Sequence, residues 1–374
     1  MKIVFLSNYF NHHQQPFSDA MDILTNHNYY FVETDKISEW RQKLGYNFDD
    51  KPNYVLDVFN SLGKIKDIIN DADAVIIGSA PNDLILDRLK QGKLVIRYSE
   101  RIYKLGFSWI KWPIRILRNF FNISRYKNYY LLCASAYTAY DYSRTFNYLN
   151  KTFKWGYFPK CEKYDDVDEL INGKEQSSLL WVGRFIDWKH PEVAIKVAQR
   201  LKVEGHKFSL KIIGTGELEG DMRQMITDYN LSDCVEILGS RPFYEVRKYM
   251  EQSQIYMFTS NKQEGWGAVL NESMNSACAV VASKAIGSVP FLIDDGVNGL
   301  IYKDGDIDDL YQKVKCLLDN DIKRCTLAKN AYQTMESEWN ADVAAERLIK
   351  LIESEFDSNL FTSGPCSKAK IIKG

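Results

Sequence analysis

Short runs of β-branched, aliphatic and aromatic residues alternate with helical patterns along almost the whole sequence, which leaves few folds open to it. Several runs are apolar without interruption, as is typical of strands buried on both faces of a parallel sheet. Between them, segments such as residues 191–204 have helical spacing, with Pro191 suited to the first turn and Gly205 after the end. Repeated βα units predict an α/β protein with doubly wound sheets. The predicted strands are residues 3–6, 74–77, 94–97, 130–134, 179–182, 209–213, 235–238, 255–258 and 280–282.

The alternation is interrupted once, near the middle of the chain. The segment KWGYFP ends the first half at Pro159, a charged stretch follows without a clear period, and a new strand begins at Leu179. We therefore predict two Rossmann-like domains joined by a linker. A helical pattern follows the second domain, and the last residues, which contain Ser, Gly, Pro and Lys, are expected to fray. The predicted limits are 1–159 for the first domain, 160–176 for the linker, 177–338 for the second domain, 339–357 for the helix and 358–374 for a flexible tail.

The composition is that of an ordinary soluble protein and excludes several classes. Of 374 residues, 45% are hydrophobic and 26% charged, which argues against disorder, collagen-like repeats and a disulfide-built scaffold. Lys and Arg number 48 against 49 Asp and Glu, which argues weakly against a dedicated nucleic-acid binder. No run approaches the roughly 20 apolar residues of a membrane span, and residues 2–6 are too short for a signal peptide. Seven scattered cysteines without a CxxC pair fit reduced thiols in the cytoplasm.

The most informative segment is EGWGAVLNE, residues 264–272, which lies after the predicted strand 255–258 and before a helix predicted over about 267–278. Glycines before a helix leave backbone N–H groups available to an anion and let a phosphate approach closely. Helical rise would separate Glu264 and Glu272 by about 12 Å, too far to share one reacting atom. Such carboxylates suit the hydroxyls at the sugar and ribose ends of a nucleotide-sugar. A capped amphipathic helix with a solvated glutamate is the alternative.

Two further loops follow predicted strands of the second half. In VGRFIDWKHP, residues 182–191, Arg184 offers a planar fork and Lys189 a point charge, both suited to a departing diphosphate. Ordinary solvated surface charges are the alternative. In IIGTGELEG, residues 212–220, the spacing GxGxxxG is one residue longer than the dinucleotide fingerprint. We interpret Gly214 and Gly216 as part of a tight strand-to-helix turn near phosphates.

In this order and context, these elements resemble the C-terminal domain of GT-B glycosyltransferases, specifically glycosyltransferase family 4, also called group 1. The resemblance is dense from Leu179 to about Trp339 and holds only in outline before that. It implies a GT-B architecture, with two Rossmann-like domains facing across a cleft and a C-terminal helix crossing back to the first domain. It also implies a retaining enzyme that needs no metal or other cofactor for its chemistry. The matching stretches are 179–189, 212–217, 235–239, the Glu-x7-Glu motif, 279–290 and 295–299.

The resemblance further implies roles for particular residues. Arg184 and Lys189 would contact the donor diphosphate, with Gly214 and Gly216 nearby. Glu264 would hold the donor sugar and distal phosphate, and Glu272 would bind the ribose hydroxyls. The residues implied to bind through the loop backbone or beside the base are Gly265, Trp266, Gly267 and Ala268 for the sugar and phosphate, and Ser240 and Arg241 for the base.

One segment formally matches a metal-binding motif of another glycosyltransferase fold. Asp304-Gly-Asp306 has the DxD spacing that holds Mn²⁺ or Mg²⁺ there. However, Asp306 is followed by Asp309 and by an apolar run with helical spacing, which favours a helix N-cap with an acidic first turn. We therefore assign no metal site.

The acceptor-side base is sought in the first half. The loop SNYFNHHQQP, residues 7–16, lacks the glycines usual in the resembled family, but it follows a strand where open α/β sheets bind ligands. His13 is the first candidate, and Glu100, in the segment YSER after the strand 94–97, is the second. Surface polar residues in a turn are the alternative for the histidines.

A basic, aromatic segment stands out in the first half. Between Arg101 and Tyr140 there are seven Lys or Arg and no Asp or Glu. Ile114, Leu117 and the pair at 120–121 lie near one helical face, after two tryptophans. A basic helix with aromatic anchors predicts that residues 101–127 bind an anionic membrane surface. A core-facing helix is the alternative, and RNA binding lacks a recognised module.

Together with these features, the resemblance implies a retaining, hexosyltransferase-type enzyme of cell-surface polysaccharide biosynthesis, such as that of capsule or O-antigen. It would use a nucleotide-sugar, with a UDP-sugar favoured over a GDP-sugar, and a glycan or polyprenyl-diphosphate-linked acceptor. It would work in the cytoplasm, at the inner face of the cytoplasmic membrane, without nucleic-acid partners. A nucleotide-sugar epimerase of GT-B-like architecture and a non-catalytic sugar-nucleotide-binding partner are the alternatives.

Overall fold

The computed structural model describes residues 1–37 and 50–373, so residues 38–49 of the predicted first domain and Gly374 of the predicted tail lie outside the described residues. Internal contacts divide the chain into two units. Unit 1 comprises Met1–Lys160 and Asn340–Gly374, and unit 2 comprises Cys161–Trp339. Each unit is built on one parallel sheet with helices in its connections, which confirms the predicted α/β class.

The sheet of unit 1 has seven parallel strands in the order β3-β2-β1-β4-β5-β6-β7. Its centre is apolar on both faces: every residue of β1 and β4 is buried, because helical connections cover a parallel sheet on both sides. Ile3 of β1 pairs with Tyr29 on one side and Ala74 on the other. The strands are β1 Ile3–Ser7, β2 Tyr29–Glu33, β3 Val55–Asp57, β4 Ala74–Ile77, β5 Val95–Ser99, β6 Tyr129–Cys133 and β7 Thr152–Lys154.

The helices of unit 1 begin at conventional signals. Pro16 lies in the first turn of α1, and the carboxylate of Asp57 caps α2 by accepting the N–H groups of Phe59 and Asn60. The C-terminal helix α14 packs against α1, so it belongs to unit 1 as the resemblance implied. The helices are α1 Gln15–Leu24, α2 Val58–Asp71, α3 Leu86–Lys90, α4 Trp112–Asn119, α5 Thr138–Ser143 and α14 Ala341–Glu353, with a 3₁₀ turn at Asn82–Ile85 and a π turn at Phe120–Ser124.

The predicted frayed tail is wrong for residues 366–369, which pair antiparallel with the edge strand β7. The N–H of Lys154 donates to the carbonyl of Ser367 at 2.7 Å, and the N–H of Cys366 donates to the carbonyl of Lys154 at 2.8 Å. The N–H of Ala369 donates to the carbonyl of Thr152 at 3.0 Å. Main-chain pairing depends little on side-chain composition, so a Ser-, Gly- and Lys-containing tail satisfies the open edge of the sheet.

The sheet of unit 2 has six parallel strands in the order β10-β9-β8-β11-β12-β13. Its core combines apolar side chains from the strands, such as Trp181 and Ile212, with those from the covering helices, such as Ile195 and Leu310. The strands are β8 Ser178–Val182, β9 Ser209–Ile213, β10 Val235–Gly239, β11 Ile255–Phe258, β12 Ala279–Ser283 and β13 Leu300–Tyr302.

Of the stretch predicted as a linker over 160–176, all but Lys160 belongs structurally to unit 2. Asp166 caps the short helix α6, and Ile171 joins the core of this unit. Lys174 is buried, and its ammonium donates to the carbonyls of Met250, Glu251 and Ser276. One short helical turn with a single buried residue is too brief to produce a visible period, which explains the error. The helices of unit 2 are α6 Val167–Asn172, α7 Pro191–Val203, α8 Glu219–Asp228, α9 Phe243–Gln252, α10 Val269–Asn275, α11 Val289–Leu292, α12 Ile307–Asp319 and α13 Asp321–Ser337, with a 3₁₀ turn at Asp187–Lys189.

Candidate active site

The strand order of unit 2 changes direction between β8 and β11. After β8 the chain adds β9 and β10 on one side of the sheet, and it then returns to add β11, β12 and β13 on the other. Open α/β sheets bind ligands at such a switch point, beyond the carboxyl ends of the strands. The loop after β8 carries Lys189 and the loop after β11 carries Glu264, so the topology brings two separately predicted residues to one place.

Lys189 and Glu264 form a largely buried ion pair. The ammonium of Lys189 lies 2.6 Å from Oε2 of Glu264, and the hydroxyl of Ser260 donates to the same oxygen at 3.1 Å. Glu264 as a residue is only 8% exposed. A charge pair shielded from water in this way interacts much more strongly than one at the surface. The pair therefore presents one cation and one anion at a defined position on the carboxyl edge of the sheet.

Residues that the sequence analysis did not single out hold this pair in place. The hydroxyl of Thr259 donates to the carbonyl of Lys189 at 2.7 Å and accepts the indole N–H of Trp181 at 2.8 Å. The N–H of Asn261 donates to the carbonyl of Trp188 at 2.9 Å. Thr259, Ser260 and Asn261 directly follow a buried strand, and that position is the signal by which they could have been found.

Arg184 lies in the same loop as Lys189 but at the surface. Its side chain is exposed, and its guanidinium carbon lies 5.9 Å from the ring centroid of Trp188. An exposed guanidinium on the loop that carries Lys189 is placed to meet an anion from the solvent side.

Gly214 and Gly216 let two neighbouring loops touch backbone to backbone. A Cβ on Gly214, whose φ is +148°, would lie 1.8 Å from the carbonyl oxygen of Gly183, and one on Gly216 would lie 2.4 Å from that of Phe185. The N–H of Phe185 also donates to the carbonyl of Thr215 at 2.9 Å. These glycines form the predicted tight turn for a packing reason, and their contact with donor phosphates remains a prediction.

The loop of residues 264–268 is not helical, which corrects the spacing expected from the sequence. Helix α10 begins at Val269 and ends at Asn275, so helical rise does not give the separation of Glu264 from the half-buried Glu272. The loop turns at Gly267, where φ is +83° and a Cβ would lie 2.4 Å from the Phe258 ring. Only glycine fits there, and the position of the loop depends on it.

The residues implied to lie beside the donor base are at the same carboxyl edge, after β10. Ser240 and Arg241 are exposed, and Nε of Arg241 lies 3.8 Å from a carboxylate oxygen of Glu245. Their side chains are open to solvent, and their contact with a base remains a prediction.

In unit 1, the strand order changes direction between β1 and β4, and His13 lies in the loop after β1. Its N–H donates to the side-chain oxygen of Asn11 at 3.0 Å, and its ring centroid lies 4.0 Å from that of His12. Burial lowers the pKa of His13 to about 4, so the imidazole is neutral near pH 7. A neutral imidazole at this position has the protonation state that a general base requires.

Glu100, the second acceptor-side candidate, follows β5 and is engaged at both oxygens. One accepts the hydroxyl of Tyr157 at 2.7 Å, and the other is paired with the ammonium of Lys104. Both oxygens of Glu100 already have partners within unit 1, so an acceptor hydroxyl would have to displace one of them to transfer its proton there. The geometry therefore favours His13 over Glu100 for this role.

The segment with DxD spacing is a helix cap, as predicted. The carboxylate of Asp306 accepts the N–H of Asp309 at 3.0 Å at the start of α12. Within residues 1–37 and 50–373, no group of three or more His, Cys, Asp or Glu side chains could hold a metal ion.

The basic, aromatic segment of unit 1 carries a large exposed apolar patch instead of facing the core. Leu105 is 89% exposed and Ile110 is 92% exposed. In the described part of the chain, no helix is long and apolar enough to span a membrane. We define the apolar patch as Leu105, Trp109, Ile110, Ile114, Leu117, Phe120 and Phe121, each at least half exposed.

Arg115 differs from the other cations of this segment. Its guanidinium carbon lies 5.0 Å from the ring centroid of Tyr103 and 5.7 Å from that of Phe107, so it makes cation–π contacts within the segment. The exposed cations beside the patch are Lys111, Arg118, Arg125 and Lys127.

Comparisons with known proteins agree with this arrangement. Residues 164–334 match the family of glycosyl transferases group 1. The amylovoran biosynthesis glycosyltransferase AmsK of Erwinia amylovora is 30% identical over 47% of this chain and 44% of its own. An N-acetylgalactosaminyltransferase of Campylobacter jejuni, named for an N-acetylgalactosamine-N,N'-diacetylbacillosaminyl-diphospho-undecaprenol substrate, is 30% identical over 44% of this chain and 46% of its own. The matches thus span about half the length of these relatives.

The fold as a whole is also known from solved structures. HepE of Anabaena, solved in complex with UDP, superposes with a TM-score of 0.69 at 15% identity, over 95% of this chain and all of that one. A likeness at this low identity identifies the GT-B fold and says nothing of the substrate. It confirms the GT-B fold that the sequence resemblance implied.

Proposed function

We propose that the protein is a retaining glycosyltransferase that uses a nucleotide-sugar donor, because residues 164–334 match the group 1 glycosyl transferases and the chain has a GT-B fold. The observation that carries the proposal is the Lys189–Glu264 ion pair at the switch point of unit 2. A UDP-sugar is the favoured donor and a GDP-sugar the second, as the resemblance to glycosyltransferase family 4 implies. The proposed pathway is cell-surface polysaccharide biosynthesis in the cytoplasm, and the biosynthetic role agrees with that of AmsK, which is named for amylovoran biosynthesis.

The proposed chemistry follows from the charges at the carboxyl edge. Lys189 and the exposed Arg184 would neutralise the diphosphate as its bond to the sugar breaks, since fixed cations stabilise charge that develops in the transition state. Glu264 would accept hydrogen bonds from sugar hydroxyls and Glu272 from the ribose. No step in this scheme needs a metal, so activity should survive an excess of EDTA.

A thermal-shift screen followed by a transfer assay tests the proposal. UDP, GDP and ADP with their sugars are screened first, because a ligand that binds only the folded state raises the melting temperature. Glu264→Gln and Lys189→Met should each lower kcat for transfer about 10²- to 10³-fold. Lys211→Met, at the ion pair with the exposed Glu175, is the matched control and should keep normal turnover. Near-normal turnover in both site variants would contradict the assignment.

The alternatives predict different products. A nucleotide-sugar epimerase converts donor without an acceptor, and a non-catalytic partner leaves the donor intact. Incubating the donor with and without a polyprenyl-diphosphate-linked glycan separates them. NMR of the product reports its anomeric configuration, and an inverted configuration would refute the proposed retaining mechanism.

We further propose that the apolar patch binds an anionic membrane surface, where a polyprenyl-diphosphate-linked acceptor would reside. Such binding combines burial of apolar area with attraction of positive charge to anionic lipids. The patch supplies the apolar area, and the charge comes from the exposed cations Lys111, Arg118, Arg125 and Lys127. Each cation near an anionic surface contributes about 1 kcal/mol. The Campylobacter relative is named for a diphospho-undecaprenol-linked substrate.

Flotation with vesicles of phosphatidylglycerol and phosphatidylcholine tests the membrane proposal. Lys111→Glu with Arg118→Glu should abolish binding, and 0.5 M salt should weaken it in the wild type, because screening shortens the reach of the charges. Lys64→Glu with Lys66→Glu makes the same charge change on the exposed surface of α2 and should leave binding intact. Absence of wild-type binding at low salt would refute the proposal.

A further inference from the structure

We propose that Asn271 is a positioning residue, which fixes the loop bearing Glu264 to the helix bearing Glu272 through the indole of Trp266. This inference rests on the proposed function of the same site. The indole N–H of Trp266 donates to Oδ1 of Asn271 at 2.9 Å. Trp266 is fully buried and Asn271 is 3% exposed, so the bond is formed away from solvent.

The buried indole N–H of Trp266 requires a hydrogen-bond acceptor nearby. Burying a polar group without a partner costs about 1–3 kcal/mol, so a tryptophan at this position favours an acceptor within reach. Asn271 supplies that acceptor from the first turn of α10. The side chain of Asn271 therefore sets which way the indole, and with it the loop of residues 264–268, is oriented.

Other contacts also hold the same loop. The hydroxyl of Ser288, which precedes α11, donates to the carbonyl of Trp266 at 2.6 Å, and the N–H of Gly287 donates to the carbonyl of Glu264 at 3.3 Å. The indole also packs against the rings of Phe291 and Trp339, at centroid distances of 6.4 Å and 6.0 Å. The loop thus has several anchors, and Asn271 adds a side-chain anchor on α10 to the main-chain bond from the N–H of Leu270 to the carbonyl of Gly267.

The two residues joined by this hydrogen bond are close in sequence to the two glutamates of the site. Glu264 lies two residues before Trp266, and Glu272 directly follows Asn271. The bond therefore ties together the two carboxylates that would hold the two ends of the donor. A misplacement of about 1 Å in such a site costs about 10²-fold in rate.

Donor hydrolysis by the full chain tests the inference, with UDP-glucose, UDP-N-acetylglucosamine and GDP-mannose as probes. Asn271→Leu, which keeps the volume and removes the acceptor, should lower kcat about 10- to 100-fold. Trp266→Phe removes the donor and should act similarly. Because both variants break one bond, the double variant should be no slower than the slower single variant. The dissociation constant of UDP should change less than threefold, since Glu272 is held by the backbone of α10.

Tyr164→Phe is the matched control, because it deletes another hydrogen bond of unit 2, to Glu251. It should lower the melting temperature without changing kcat. If Asn271→Leu lowers only the melting temperature and keeps wild-type kcat, Asn271 is merely structural and the inference is wrong. A double variant whose fold-loss in kcat equals the product of the two single losses would also contradict the inference. A wild type that turns over none of the three donors would instead count against the proposed function itself.

Discussion

At the scale of single residues, the ion pair of Lys189 and Glu264 shows that burying charges that a site needs has a cost in stability. Taking two charges out of water is costly, and only the pairing offsets that cost. The hydroxyl of Ser260 adds a hydrogen bond to the same carboxylate oxygen. Sequence reasoning identified both charges because each follows a strand at the same edge of a parallel sheet. It missed Ser260, although the position of that residue after a buried strand was a usable signal, and it missed Asn271, because a lone polar residue in a helix carries no distinctive pattern.

Breaking this pair from one side should destabilise unit 2. Lys189→Met leaves the carboxylate of Glu264 largely buried without its cation, and we expect a loss of about 3 kcal/mol in the free energy of unfolding. Glu264→Gln with Lys189→Met removes both charges and should recover most of that loss. Urea unfolding of the full chain, followed by tryptophan fluorescence, measures the free energy of unfolding of the wild type, the two single variants and the double variant. Losses that simply add in the double variant would show that the two side chains do not interact.

His13 should remain neutral far below the usual range of histidine. Burial lowers its pKa to about 4, against about 6.5 for an unperturbed imidazole. Between these values the unfolded chain binds more protons than the folded one, so the stability of unit 1 falls as pH drops from about 6.5 through 4. Ring NMR of labelled histidines should place the midpoint for His13 near pH 4, with His13→Gln identifying the signal. A midpoint near 6.5 would contradict this.

At the scale of elements, the sequence predicted nine of the thirteen strands in the described residues, within two residues at each end. Three of the missed strands, β3, β7 and β13, have only three residues each, too few for a period to show. The pairing of residues 366–369 with β7 joins positions more than 200 residues apart. The pairing uses only main-chain groups, so no local sequence pattern predicts it.

The tail should behave as a protective edge strand. Deleting residues 358–374 uncovers the main-chain groups of Thr152 and Lys154 and removes the buried Cys366, so we expect a melting temperature lower by several degrees and faster aggregation. Deleting only residues 371–374, which lie beyond the paired segment, is the matched control and should have no effect. Differential scanning calorimetry and light scattering measure both. Equal behaviour of the two truncations would show that the tail does not stabilise the sheet.

At the scale of the whole molecule, the two units differ in whether they are formed by one continuous stretch of the chain. Unit 2 is continuous, whereas unit 1 is assembled from residues 1–160 and 340–374. The interruption in the βα pattern located the division, because local periodicity stops there. The return of α14 to α1 could be expected only from the resemblance, since packing between distant segments is not visible in local periodicity.

This difference predicts how fragments fold. Residues 161–339 contain a complete sheet and its core, so this fragment should fold alone and show a cooperative melt. Residues 1–160 alone lack α14, whose Ala344, Leu348 and Leu351 are fully buried, and should be unstable. Joining residues 340–374 to residue 160 through a Gly-Ser linker should restore a cooperative melt. Circular dichroism measures all three. If residues 1–160 melt as sharply as the joined fragment, α14 contributes nothing to unit 1, and its buried apolar face stabilises something other than the seven-stranded sheet.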